Sequence, residues 1–294
     1  MPGRGPVAIE RLGSGLVNES YRVLRDGSRY SLRVTVPDAV QLGIDRDWEY
    51  RVLERASAAR LAPRVERWEP RQGILVTRWV EGRVWSEDEA RLTANIAKVA
   101  LLARRVHALS PPAPPRILSP ADWTAHYRGA CARLSAEPER PGTAGGRGCD
   151  LAERLDADLE RHLAAIGPPR PTLVLCHSDL HVANIVAADP DELVLLDWEY
   201  AHVSEALWDL AGWACNNDLS PEARTFLMAS YFGRPPAGEE EQRLEHLCWL
   251  YDYICLLWSE VYLGSRGGEA KQAIMRRARV LTARLARGAG GGGD

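Results

Sequence analysis

Lysine is all but missing from this chain. Of 37 basic residues only Lys98 and Lys271 are lysines, and none precedes residue 98. Positive charge is therefore almost entirely arginine, a planar donor fork that keeps its proton. Long apolar runs are also missing: none reaches 18 residues, so no transmembrane helix and no membrane partner are expected. Met1-Pro2-Gly3-Arg4-Gly5 has no apolar leader character, which makes the cytoplasm the default expectation. The six cysteines (131, 149, 176, 215, 248 and 255) contain no C-x-x-C pair. Zinc and a disulfide framework are not expected from that pattern. An excess of positive charge is lacking too. The net charge of −3 argues against nucleic acid as the main partner. What remains is an ordinary globular composition, 46% hydrophobic and 26% charged, long enough at 294 residues for two lobes.

Residues 7–36 alternate like strands joined by tight turns, with Gly13-Ser14-Gly15 and Asp26-Gly27 as turn signals. Residues 44–60 carry helical spacing, with Ile44, Trp48, Val52 and Leu53 on one face. Two further strands are expected at 65–68 and 73–80. From about 87 the pattern turns helical, with helices near 88–109, 121–135 and 150–165 and through most of 205–285. Short strands at 173–176 and 193–196 interrupt it, and Pro/Gly-rich connectors fall at 110–115 and 138–148. The expected fold is α+β in two lobes. A small antiparallel-sheet lobe with one helix covers 1–80, a larger helical lobe covers 81–287, and 288–294 form a flexible glycine tail.

The chemistry concentrates in His177-Ser178-Asp179-Leu180-His181-Val182-Ala183-Asn184, followed by the apolar run Leu193-Val194-Leu195-Leu196 and Asp197. Phosphoryl transfer needs a carboxylate to orient or deprotonate a hydroxyl, and hard oxygen donors for Mg²⁺ on nucleotide phosphates. Asp179 suits the first role, and Asn184 and Asp197 the second. His177 and His181 are read as shaping the loop. Glu199 is read as a second metal ligand or substrate contact, with a plain salt bridge as the alternative. Cys176 is read as a small buried residue ending a strand, although its neighbour His177 leaves a thiol hydrolase as another reading.

Gly13, Ser14 and Gly15 sit between two strands, where backbone N–H groups can approach phosphates. Asn18 and Ser20 are candidate phosphate donors beside them. Kinases place a Lys on the third strand, held by a helix Glu. No Lys exists there, so Arg33 takes the position and Glu49 on the following helix is its expected partner. Adenine is expected to meet backbone groups near Arg78 and Val80, at the junction between lobes.

With these residues in view, the chain resembles the aminoglycoside phosphotransferase superfamily, whose signature is H-G-D-L-H-x-x-N followed by I-D-W or I-D-F. Ser178 stands here where glycine is commoner. Within that superfamily it looks most like bacterial choline, ethanolamine and thiamine kinases. The similarity rests on Gly15 to Val23, on Leu42-Gly43-Ile44-Asp45-Arg46 with Glu49-Tyr50, and on Asp197-Trp198-Glu199-Tyr200-Ala201. The resemblance implies ATP and Mg²⁺ as cofactors, Asp179 as base, Asn184 and Asp197 as ligands, and a structural Asp209. The expected activity is ATP-dependent phosphorylation of a small hydroxylated, cationic metabolite of the thiamine or choline/ethanolamine type. Trp249, Asp252, Trp258 and Glu260 are candidate acceptor residues, since aromatic faces and carboxylates recognise organic cations. The same helix also reads as plain apolar core. An aminoglycoside or amino-sugar kinase is the alternative, and a non-catalytic kinase-like nucleotide-binding module is the alternative of another class. A monomer or homodimer is expected.

Overall fold

The computed structural model describes residues 6–14, 16–35, 41–136, 154–168, 172–189, 192–265 and 271–289. Strands β1 (Val7–Ser14), β2 (Asn18–Arg25) and β3 (Ser28–Thr35) pair antiparallel. Asp26 and Gly27, both at positive φ, close the β2–β3 hairpin in the left-handed conformation that matches strand twist. Strands β4 (Val65–Glu69) and β5 (Ile74–Arg78) complete a five-stranded sheet in the order β1-β2-β3-β5-β4. Helix α1 (Arg46–Ala58) starts where the Asp45 side chain accepts a hydrogen bond from the Trp48 N–H. It buries Trp48, Glu49, Val52, Leu53 and Ala56, three of them on the apolar face expected from the sequence. The Trp48 indole then donates to the Ala201 carbonyl at 2.7 Å, tying α1 to the segment after Asp197.

The rest is mainly helical, with two small sheets beside the candidate site residues. β6 (Arg83–Val84) pairs with β8 (Ile185–Asp189), which pairs with β9 (Glu192–Leu195). β7 (Val174–Cys176) pairs with β10 (His202–Ser204). The expected helix over 88–109 is broken into α2 (Glu87–Ala90) and α3 (Thr93–His107). Ser86 and Glu89 form a reciprocal capping box on α2, and Leu92 is extended before α3 begins. Then follow α4 (Pro120–Ala136), α5 (Asp156–Ile166), α6 (Leu207–Asn216), α7 (Pro221–Phe232), α8 (Gly238–Ser265) and α9 (Lys271–Ala289). Helix α9 runs through the first two residues of the expected glycine tail. The remainder of that tail and the expected 138–148 connector lie outside the described residues. Trp48, Tyr127, Trp198, Trp213 and Tyr253 are among the largest fully buried side chains. Among the described residues no helix is long and apolar enough to cross a membrane.

Candidate active site

The catalytic segment is held from below by Asp209, in the first turn of α6. Its carboxylate accepts the backbone N–H groups of His177 (2.9 Å) and Ser178 (2.6 Å), and the His107 ring lies 3.0 Å away. Asp209 therefore anchors the loop rather than capping a helix. Burial opposes its charge, but the hydrogen bonds from His107 and the loop backbone keep its carboxyl below the usual range. Ser178 sits at φ 68, in the left-handed region that favours glycine. Its Oγ lies 2.9 Å from His202 Nδ1.

His177 joins two loops. Its Nε2–H donates to the Leu196 carbonyl at 2.8 Å, which leaves Nδ1 to accept the Asp179 N–H at 3.3 Å. Burial lowers its pKa, so this neutral tautomer persists. Asp179 and the strand end carrying Asp197 are thus set by one imidazole. The β8–β9 hairpin does the same for the two candidate metal ligands: the Leu196 N–H donates to the Asn184 carbonyl at 2.8 Å. The Asn184 amide donates to the Asp179 carboxylate at 2.9 Å and to the Asp179 carbonyl at 3.1 Å. Those bonds use its NH₂ and leave its side-chain carbonyl oxygen as an acceptor for a cation. Asp197, at φ 56, accepts from Arg33 through Oδ1 at 3.0 Å and keeps Oδ2. One amide oxygen and one carboxylate oxygen on adjacent loops suit Mg²⁺, which takes hard donors and retains waters. Asp179 carries a carboxyl held well below the usual range: burial works against its charge, but the charge and hydrogen bond of His181, with Arg277, outweigh it.

Arg33 bridges Asp197 and Glu49, as expected for a residue replacing the third-strand Lys. Burial opposes its charge, and Glu49, Asp197 and Glu199 raise its pKa beyond that cost. A second guanidinium completes the cluster, and sequence reasoning missed it. Arg46, at the start of α1, donates to Glu49 (2.7 Å), Glu199 (2.9 Å) and the Asn18 carbonyl oxygen (2.8 Å). Asn18 donates in turn to Glu199 at 2.8 Å. Asn18 therefore clamps Glu199 with both ends of its amide engaged, and it lines the site cavity with one further amide N–H. Burial and the neighbouring Asp197 push the Glu199 carboxyl up to about 8. Glu49, Asp197 and Glu199 offer oxygens within 4.8 Å of one another, and the two arginines offset their mutual repulsion. The stretch Leu42 to Arg46, part of the family resemblance, was the only signal for Arg46.

These groups open on a cavity of about 690 Å³. Asn18, Ser20, Arg33, Glu49, Arg78, Val80, Asp179, Asn184, Asp197 and Glu199 line it. The Arg78 side chain turns to Glu66 and Tyr30, and its N–H is bonded to Arg64, so its carbonyl is what it offers a base. Gly13 and Ser14 end β1, and Gly15 lies outside the described residues. The far end is walled by Trp123, Tyr127, Tyr200, Trp208, Tyr251 and Trp258.

Of the four candidates on α8 only Trp258 reaches this wall, where its indole donates to the Tyr200 hydroxyl at 2.7 Å. Trp249 stacks on His162 and Tyr253, Asp252 faces Arg284 of α9, and Glu260 is not among the cavity residues. The reason is helical phase. The lining positions Tyr251, Ile254, Cys255 and Trp258 form one i, i+3, i+4, i+7 stripe. Trp249 and Glu260 lie about two residues, or about 200°, off it, and Asp252 about 100°. Arg277 of α9, also missed, completes the lining.

Residues 8–247 match the model of the phosphotransferase enzyme family. A stretch of 56 residues is 39% identical to Protein LicA of Haemophilus influenzae, covering 19% of this chain and 21% of that protein. Among solved structures, choline kinase LicA from Streptococcus pneumoniae matches with TM-score 0.74 and 21% identity, over 95% of this chain and 93% of that one. A choline/ethanolamine kinase family protein from Mesorhizobium loti matches with TM-score 0.71 and 24% identity, over 95% and 87%. The macrolide 2'-phosphotransferase MphH from Brachybacterium faecium matches with TM-score 0.60 and 19% identity, over 94% and 91%. These likenesses establish the kinase-like fold expected from the motif.

Proposed function

Because this chain belongs to the phosphotransferase enzyme family, we propose that it is an ATP-dependent kinase of a small hydroxylated organic cation, with choline the leading acceptor. The observation that carries the acceptor class is the far wall of the cavity. It is built of aromatic faces, while Asp252 and Glu260, the carboxylates expected to meet an ammonium group, face elsewhere or stand apart. A quaternary ammonium has no N–H to donate and is held by π-faces. An aminoglycoside carries several primary ammonium groups and needs carboxylate or carbonyl acceptors, so that reading loses support. The names of the choline and choline/ethanolamine kinases that share the fold agree with the acceptor proposed. Thiamine, a flat cationic alcohol, stays second because the Trp123–Tyr127 stack offers a parallel aromatic surface.

In this reading the nucleotide lies against the five-stranded sheet, with its base near the Arg78 carbonyl and Val80 and its phosphates between Ser20 and Arg33. Asn184 and Asp197 would hold Mg²⁺, which when bound supplies charge neutralisation on the phosphates. The acceptor hydroxyl lies at Asp179. A carboxylate held this far below its usual range is a weak base. Its task is to orient the hydroxyl and take the proton late, once bonding to phosphorus has acidified it. That suits the loose transition state of phosphoryl transfer. Arg33 holds Asp197 and Glu49 in place and presents a guanidinium to the phosphate oxygens.

The deciding experiment is Mg·ATP consumption by purified protein with choline, ethanolamine, thiamine, amino sugars and aminoglycosides. Choline is expected to give the highest kcat/KM. Preference for a polyamine sugar overturns the acceptor, and ATP binding without turnover of any acceptor favours a nucleotide-binding module. Asp179→Asn is expected to lower kcat by at least about 10²-fold while leaving ATP affinity within a few-fold.

A further inference from the structure

Three arginines line the cavity, and they differ in what opposes their charge. Arg33 is paired with Glu49 and Asp197, and Arg78 with Glu66. Arg277 of α9 has neutral partners among the described residues: the Asn216 side-chain carbonyl at 3.2 Å and the Cys255 sulfur at 3.6 Å. Cys255 is not a counter-ion, because burial pushes its thiol up to about 11. Among the described residues no carboxylate pairs with Arg277 directly: Asp179 acts on it at longer range and helps keep its charge despite burial. Its contacts with Asn216 and Cys255 engage only one guanidinium nitrogen, so further N–H groups are left for an anion.

Its position says which anion. Asn216 donates to the Leu180 carbonyl at 3.1 Å and to the Tyr251 hydroxyl at 2.9 Å. One amide thus joins Arg277 to the residue following Asp179. Arg277 is also among the charges that act on both Asp179 and His181. It lines the cavity from α9, whereas Arg33 lines the same cavity from the five-stranded sheet.

We propose that Arg277 is a catalytic residue of this chain, the acceptor-side cation that binds the phosphoryl oxygens as the group leaves the nucleotide. The assignment rests on the kinase reading above. In the step, the acceptor oxygen forms a bond to the γ-phosphorus. The bond from that phosphorus to the β,γ-bridging oxygen breaks, ADP leaves with the electron pair, and the hydroxyl proton passes to Asp179. Charge on the transferred group moves away from Arg33 toward the acceptor, where Arg277 meets it. An arginine in this geometry acts differentially, on the transition state and the product ester, more than on bound ATP.

The test combines kinetics with a binding measurement that needs no turnover. Inorganic phosphate is titrated calorimetrically into protein saturated with Mg·ADP, for wild type, Arg277→Gln, Arg277→Lys and Arg284→Gln. Arg284 docks α9 through the Cys215 carbonyl and Asp252 and serves as the control for helix packing. Arg277→Gln is expected to abolish phosphate binding and to lower kcat about 10²-fold, with KM for ATP within about twofold. Arg277→Lys is expected to recover part of both, and Arg284→Gln to lower Tm while phosphate binding persists. Unchanged phosphate affinity in a folded Arg277→Gln protein overturns the assignment. So does a raised acceptor KM with kcat intact, which would place an anionic substituent of the acceptor there. Wild-type phosphate binding that depends on Arg277, in a protein that phosphorylates no alcohol, overturns the kinase reading and the catalytic role with it. Unchanged kcat in Arg277→Gln beside normal choline turnover overturns the role of Arg277 alone.

Discussion

Arg33 does two things at once that a lysine cannot. One arm of the guanidinium meets Glu49 on α1 and the other meets Asp197, so the third strand, the helix and the second catalytic loop are set by one planar group. An ammonium is a point charge that satisfies such a fork poorly. Arg33→Lys would restore the residue kinases usually carry, yet here it is expected to lower kcat/KM for ATP about tenfold or more, read by steady-state kinetics. Wild-type efficiency in that variant would show that charge alone matters. Ser178 is a similar case of local fit. Its positive φ costs of order 1 kcal/mol for a non-glycine residue, and its hydroxyl contact with His202 returns part of that. Ser178→Gly is expected to change stability by less than about 1 kcal/mol, while Ser178→Ala keeps the strain, loses the contact and falls by about that amount; denaturant melts distinguish the two.

At the level of elements, Gly82 controls how β6 reaches β8. It has φ +148, and a Cβ there would stand 2.3 Å from the Ala187 carbonyl oxygen and 2.8 Å from Val186. Both neighbours belong to the β8 strand that follows Asn184 and cannot move without shifting the ligand loop. Gly82→Ala is expected to cost about 3 kcal/mol or more and to lower Mg²⁺-dependent activity in whatever folds. Neither β6 nor β8 was legible in the sequence, because Arg83–Val84 is too short to show a period and Ile185–Asp189 has no apolar–polar alternation. Legibility followed sequence distance. Asp179, Asn184 and Asp197 fall within a short run of sequence whose spacing already encodes a loop and a hairpin. Arg33 and Glu49 were found by elimination of lysine. Arg46 was marked only by the Leu42 to Arg46 stretch that carries part of the resemblance, and Arg277 meets the site from far along the chain with nothing local to mark it among so many arginines. Helix α8 failed in a different way. Its middle is apolar on nearly every face, so the sequence offered no phase, and three of four candidate residues were assigned to the wrong side.

The molecule as a whole carries buried histidines whose neutrality depends on the fold. His202 is packed under Ser178 and Trp123, and burial lowers its pKa to about 4. Above about pH 6.5 it is neutral folded or unfolded and has no effect on the pH dependence. As pH falls from there toward 4 the unfolded chain takes the proton first, so stability declines, by about 3 kcal/mol in total, and the decline from this group stops below 4. His202→Asn is expected to remove that part of the acid limb in urea titrations between pH 7 and 4. An unchanged difference across that range would show that His202 is not buried neutral.

The two halves of the protein meet through Arg33–Asp197, Arg46–Glu199 and the Trp48–Ala201 bond. A ligand that fills the cavity between them must therefore stabilise the whole chain. At a hundred times its Kd, Mg·ATP should add about 2.7 kcal/mol to unfolding, a rise of several degrees in Tm for a chain of this size. Asp179→Asn should keep that shift, because the proposed role of Asp179 is toward the acceptor. Asp197→Asn should lose most of it, because the variant gives up the carboxylate assigned to the cation. The two carboxylates line one cavity, so equal behaviour of the variants would mean that the division between a proton-handling Asp and a cation-holding Asp has been drawn in the wrong place.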